Sequence, residues 1–127
     1  MARILIVDDE QIVRDLLRTV LEHDGHQVDQ ATDGQQALEM HGKAAYDVAI
    51  VDLIMPRKNG LDTVLELRAQ RPETRLVVMT GALPALLDKN RTMDEMLGSV
   101  VKLTKPMRPA DLRRAVKEAL GTPVAKA

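Results

Sequence analysis

The chain has no cysteine, no phenylalanine and no tryptophan, and Tyr46 is its one aromatic residue apart from histidine. Without cysteine there is no disulfide framework and no thiol chemistry. That absence suits a reducing compartment. With a single aromatic ring, stacking on nucleic-acid bases is nearly excluded. No dense basic stripe suits DNA either, so no direct nucleic-acid binding is expected of this domain. The longest apolar runs are far too short to cross a bilayer. Met1, Ala2 and Arg3 lead straight into a predicted strand and leave no room for a signal peptide. A cytoplasmic location without membrane attachment is therefore expected.

What is present fits one domain with its own core: 127 residues, 45% of them hydrophobic and 29% charged. The core must be built from Leu, Val, Ile, Met and Ala. The seven methionines read as adaptable filler in a chain without Phe. Net charge is −1, unevenly spread. Residues 1–30 hold seven acids against three bases, and residues 97–127 hold seven bases against two acids. The two ends read either as differently solvated parts of one domain or as a basic docking face for an acidic partner.

Short apolar runs alternate with amphipathic ones. Strands are predicted at Arg3–Val7, His26–Ala31, Tyr46–Val51, Leu76–Met79 and Val100–Leu103. Helices are predicted at Gln11–Asp24, Asp33–Lys43, Leu61–Gln70 and Pro109–Leu120. Pro84–Gly98 is read as a further, irregular helix. In the first helix Ile12, Val13, Leu16, Leu17, Val20 and Leu21 share a face, and Gly25 ends it in a left-handed cap. The order is βα five times over, which implies a parallel sheet with helices on both faces. Residues 1–121 read as the domain and residues 122–127 as a tail or a linker stub. His23, His26 and His41 show no ligand spacing and are expected on the surface.

In such sheets, sites form beyond the carboxyl ends of the strands. Asp8, Asp9 and Glu10 follow the first strand, Asp52 the third, Thr80 the fourth and Lys105 the fifth. Each has an ordinary reading: a helix cap for Asp8 or Asp9, a turn cap for Thr80, a surface lysine for Lys105. Jointly they would be a poor coincidence. Carboxylates brought together repel and must bind a cation or a proton. Hard oxygen ligands on an open rim favour Mg²⁺ over zinc. A carboxylate can also act as a nucleophile and form an acyl phosphate. Mg²⁺ and a lysine would neutralise phosphoryl oxygens, and a hydroxyl would hydrogen-bond to one. Asp52, a carboxylate at the end of the apolar run Val48–Val51, stands where the phosphoryl acceptor should be.

ILIVDDE (Ile4–Glu10), VDLIMPRKNG (Val51–Gly60), VVMTG (Val77–Gly81) and LTKP (Leu103–Pro106), in that order, give the chain its resemblance. From Arg3 to about Leu120 it resembles the receiver domain of bacterial two-component response regulators. The resemblance implies a flavodoxin-like, doubly wound five-stranded parallel sheet of order 2-1-3-4-5. It implies that Asp52 accepts phosphate from the phosphohistidine of a sensor histidine kinase or a phosphotransfer protein. Asp9, Asp52 and the backbone carbonyl of Ile54 would ligate Mg²⁺, with Asp8 acting indirectly. Thr80 and Lys105 would engage the phosphoryl group, and Pro106 follows Lys105 as in the family, where that peptide bond is often cis. Self-phosphorylation and autodephosphorylation would be its whole chemistry, so it is not expected to be an enzyme in the ordinary sense.

Two departures stand out. The family usually places an aromatic residue about three before the lysine, where this chain has Lys102, and Tyr46 is in the wrong place to substitute. The stretch from Thr80 to Lys105 is a few residues longer than common. Ile54 and Ala82, two after Asp52 and two after Thr80, are both apolar, which predicts a phosphoryl group poorly supplied with water and hence long-lived. A downstream output protein or a C-terminal output domain is implied as partner, with a phosphorylation-dependent homodimer possible. The alternative is a receiver-like interaction module that works without phosphate. A phosphatase using an aspartyl-phosphate is disfavoured, because it would need a second acid where Ile54 stands.

Overall fold

The computed structural model describes residues 1–53, 60–81 and 100–121. Five strands, β1 (Arg3–Val7), β2 (Gln27–Ala31), β3 (Val48–Asp52), β4 (Arg75–Thr80) and β5 (Val101–Thr104), form one sheet of order β2-β1-β3-β4-β5. Every pairing is parallel. Among the described residues four helices pack on it: α1 (Gln11–His23), α2 (Gly34–Lys43), α3 (Gly60–Gln70) and α4 (Pro109–Leu120). None of them is long and apolar enough to cross a membrane. The predicted segment Pro84–Gly98 lies outside the described residues.

The interior strands read as continuous apolar runs because both faces of the sheet are covered. Ile4, Ile6, Val48, Ile50, Val77 and Met79 point to the side that carries α1 and α4, where Leu17, Leu21, Leu112 and Val116 meet them. Leu5, Val7, Ala49, Val51 and Val78 point to the other side, against Ala37, Val64 and Leu67 of α2 and α3. Burying each large aliphatic side chain contributes roughly 1.5–3 kcal/mol relative to exposure. The edge strand β2 is polar, as its sequence QVDQA suggests.

The helix ends follow local chemistry. Asp33 precedes α2 and caps it, its Oδ1 accepting from the Gln36 N–H at 2.8 Å. After α1 the chain turns at Gly25, whose φ of +92° suits glycine. The Gly25 N–H donates to Glu22 O and the His26 N–H to Leu21 O, the paired bonds of a Schellman ending. At α4, Pro109 takes the first position, and Asp111 Oδ2 accepts from the Arg108 N–H at 3.0 Å.

Three expectations need correction. Ile12 and Leu16 are 84% and 50% exposed, so the sheet covers only the part of the α1 stripe that holds Leu17, Val20 and Leu21. The third strand starts two residues later than predicted and includes Asp52, which sits opposite Met79. His41 is not on the surface but fully buried. Its Nδ1 lies 2.5 Å from Gln70 Oε1 and its Nε2 2.8 Å from Thr74 Oγ1, so both ring nitrogens are satisfied.

Candidate functional site

Strand register assembles the site. Val7 of β1 lies opposite Val51 of β3, so Asp8 leaves the sheet level with Asp52. Asp52 lies opposite Met79, one residue before Thr80, and Thr80 lies opposite Thr104, one before Lys105. Backbone bonds extend the sheet at this rim: Asp8 N–H to Ala31 O at 3.2 Å, Leu53 N–H to Met79 O at 3.0 Å and Lys105 N–H to Thr80 O at 2.8 Å. Asp8, Asp52 and Thr80 are all buried there. Gly60 is required nearby, because a Cβ at that position would collide with Asp52 O and Leu53 Cα.

Lys105 joins the two buried carboxylates. Its Nζ donates to Asp8 Oδ2 at 2.9 Å and to Asp52 Oδ2 at 3.0 Å, with Glu10 Oε1 at 3.8 Å. Burial works to lower the lysine's pKa, but the hydrogen bonds and charges of Asp8 and Asp52 outweigh it, and the net effect raises it. The ammonium form therefore persists well above neutrality. The Lys105–Pro106 peptide bond is cis.

Asp8 and Asp9 do not cap α1. Its N-cap position is Glu10, which makes no side-chain capping bond. Asp8 Oδ1 accepts from the Glu10 N–H at 2.9 Å. One carboxylate oxygen each from Asp8, Asp9 and Glu10 lie within 4.8 Å of one another, Asp8 buried and the other two exposed. This all-oxygen donor set fits a hard divalent cation. Both Asp8 oxygens are already engaged, which suits a supporting role, whereas Asp9 presents its carboxylate outward. Ile54 and Ala82 lie outside the described residues.

Lys102 is exposed on the edge strand β5, and Tyr46 precedes β3, at the opposite end of that strand from Asp52. The Tyr46 ring is buried among the α2 and α3 side of the core, its hydroxyl donating to Asp29 Oδ2 at 2.6 Å. Reading the sequence alone missed Arg14 and Gln30. The Arg14 Nη1 donates to the Asp8 carbonyl at 2.7 Å and its Nε to Gln30 Oε1 at 3.2 Å. The available signal was a charged residue inside the apolar face of α1.

Residues 4–117 match the response regulator receiver domain family. The chain is 34% identical to the transcriptional regulatory protein CpxR of Escherichia coli, over 94% of this chain and 50% of that protein. It is 32% identical to the response regulator MprA of Mycobacterium leprae, over 90% of this chain and 56% of that protein. It thus spans about half the length of these curated relatives. Among solved structures it is similar to the chemotaxis protein CheY4 of Vibrio cholerae, with a TM-score of 0.85, 30% identity and coverage of 94% and 99% of the two chains. A CheY-like receiver domain protein of Methanospirillum hungatei gives a TM-score of 0.85 at 27% identity, covering 95% and 94%. The chain belongs to the response regulator receiver domain family, whose members are signalling switches rather than conventional enzymes.

Proposed function

We propose that this domain is a phosphorylation-activated switch whose acceptor is Asp52. The observation that supports it most is the lysine bridge: one buried-side cation holds Asp52 and Asp8 at hydrogen-bond distance on the carboxyl rim of the sheet. In the proposed reaction a carboxylate oxygen of Asp52 forms a bond to phosphorus as the N–P bond of a donor phosphohistidine breaks. The electron pair of that bond returns to the donor's ring nitrogen. The donor is a sensor histidine kinase or a phosphotransfer protein.

Asp9, Asp52, the Ile54 carbonyl and, indirectly, Asp8 would hold Mg²⁺. When bound, the ion offsets charge on the phosphoryl oxygens. Lys105 does the same from the other side, and the Thr80 hydroxyl, at the end of β4, donates a hydrogen bond to the transferred group. Lys105 is therefore the residue whose partners change on phosphorylation, since the phosphoryl oxygens compete with Asp8 for its ammonium.

Residues 1–121 form the receiver domain and 122–127 a tail or linker. The greater length of the curated relatives supports an output domain in the same chain, and a separate output protein would serve the same role. Incubation with a small-molecule phosphodonor and Mg²⁺, followed by intact mass measurement, tests the reading. One phosphoryl adduct that needs Mg²⁺ and is lost in Asp52→Ala is expected. An adduct that survives in Asp52→Ala would contradict the assignment. No adduct at all, with Mg²⁺ bound normally, would favour the phosphate-independent module.

A further inference from the structure

Arg14 is a buried charge for which the phosphotransfer reading has no use. It sits one turn into α1, facing the sheet, with 9% of its surface exposed. Arginine is seldom buried this far unless its donors are matched. Here the matches are two neutral oxygens on separate elements: the carbonyl of Asp8 at 2.7 Å and Gln30 Oε1 of β2 at 3.2 Å.

The first of these contacts bears on the site. The carbonyl of Asp8 belongs to the peptide unit that joins Asp8 to Asp9. That unit is planar, so fixing its oxygen fixes the plane from which the Asp9 backbone departs. On the other side of the same residue, the Asp8 N–H is held by Ala31 O at 3.2 Å. Asp8 is thus clamped at its nitrogen by β2 and at its carbonyl by Arg14. Asp9, the next residue, is exposed, and its backbone leaves from this clamped peptide. Gln30 completes the support, its Nε2 pointing to Asp15 Oδ1 at 3.5 Å on α1.

We propose that Arg14 is a positioning residue for the cation site, acting through the Asp8–Asp9 peptide and braced by Gln30. This inference rests on the phosphotransfer reading above. Lysine at this position would keep the charge but is a point donor, unable to bridge Asp8 O and Gln30 Oε1 as the guanidinium fork does. Removing the charge outright pushes the other way, because a positive group near the carboxylates opposes cation binding. The two substitutions therefore separate geometry from charge.

The test is titration of the whole chain with Mg²⁺ alone, with no phosphodonor, by calorimetry and by the amide shifts of Asp9 and Glu10. Wild type is compared with Arg14→Lys, Arg14→Gln, Gln30→Ala and Asp9→Asn. The expected result is binding weakened roughly tenfold in Arg14→Lys, as for other groups that orient metal ligands. Gln30→Ala is expected to weaken it by a smaller factor in the same direction, with cooperative melting retained. That second variant decides the matter if Arg14→Lys does not fold. Unchanged affinity in the folded variants would overturn the proposal. Tighter binding in Arg14→Gln with no loss in Arg14→Lys or Gln30→Ala would overturn it too, because Arg14 would then act by charge alone. Failure of the wild type to bind Mg²⁺, or binding indifferent to Asp9→Asn, would instead remove the phosphotransfer reading, and this inference with it.

Discussion

Lys105 and Asp52 are 53 positions apart in the chain, yet the lysine Nζ lies 3.0 Å from Asp52 Oδ2. The same nitrogen lies 2.9 Å from Asp8 Oδ2, so one cation stands between two buried carboxylates. Replacing Lys105 with Met would leave those carboxylates facing each other uncompensated. The expected loss is about 3 kcal/mol at neutral pH, at the low end for breaking a buried ion pair because the lysine itself is partly exposed. Added Mg²⁺ should restore part of it by binding the folded state. Denaturant unfolding with and without Mg²⁺ measures both effects, and an unchanged midpoint would show that the bridge contributes nothing to stability. Because the folded lysine's pKa is raised, its contribution is fully present below its unfolded value of about 10.4 and declines only as pH rises through the folded value.

His41 gives the chain an acid-side sensitivity of its own. Burial pushes its pKa below the ordinary 6.5, opposed by the Gln70 hydrogen bond, with Arg71 adding to the fall and Glu73 resisting it. As pH drops through about 6.5 the unfolded chain takes up this proton before the folded one does, so stability declines below that point. Unfolding free energies at about pH 7.5 and about pH 5.5 should differ less in His41→Gln than in wild type. Equal slopes would mean that His41 titrates alike in both states.

Tyr46 is the single tyrosine, so its ionisation can be followed without interference. Burial, then the hydrogen bond and charge of Asp29, push its pKa up to about 12 against the opposing charge of Arg3. The folded phenol keeps its proton longer than the unfolded one, so stability falls as pH climbs above about 10. Tyrosinate absorbance should rise near pH 12 in the native chain and near pH 10 in denaturant. Asp29→Asn should bring the native midpoint down. A native midpoint close to 10 would remove the buried hydrogen bond from the account.

Gly60→Ala separates helix propensity from fit. Alanine would favour the first turn of α3 by about 1 kcal/mol at most. Its Cβ, however, would run into Asp52 O and Leu53 Cα, backbone atoms that cannot rotate away. Net destabilisation near the upper end of the roughly 1–3 kcal/mol typical of overpacking is expected, together with slower phosphorylation of Asp52. Thermal melting and adduct formation check the two parts separately, and a more stable alanine variant would contradict the close approach.

Much of this arrangement was legible because parallel sheets are repetitive. Apolar runs of four or five residues mark the strands, and the residue after each run falls on a shared rim. Asp8, Asp52, Thr80 and Lys105 could be placed together on that basis. The polar second strand announced an edge. Three features resisted. The apolar stripe of α1 shows which side faces inward but not how far its neighbours reach, so Ile12 and Leu16 read as core and are exposed. Nothing around His41 points to Gln70 and Thr74, 29 and 33 positions away, as the partners that make its burial tolerable. Arg14 is marked in the sequence only as a charge inside the apolar face of α1, because its key partner is a backbone carbonyl, which carries no side-chain signature.

Of the two aspartates that Lys105 holds, Asp52 at the end of β3 is the one expected to receive the phosphoryl group. The direct measurement is to phosphorylate the chain with Mg²⁺ and a small phosphodonor, reduce the acyl phosphate with borohydride, and map the modified residue by peptide mass spectrometry. A single modified position, Asp52, is expected, with Asp8 and Asp9 untouched. Modification at Asp8 or Asp9, or spread among the three, would contradict it.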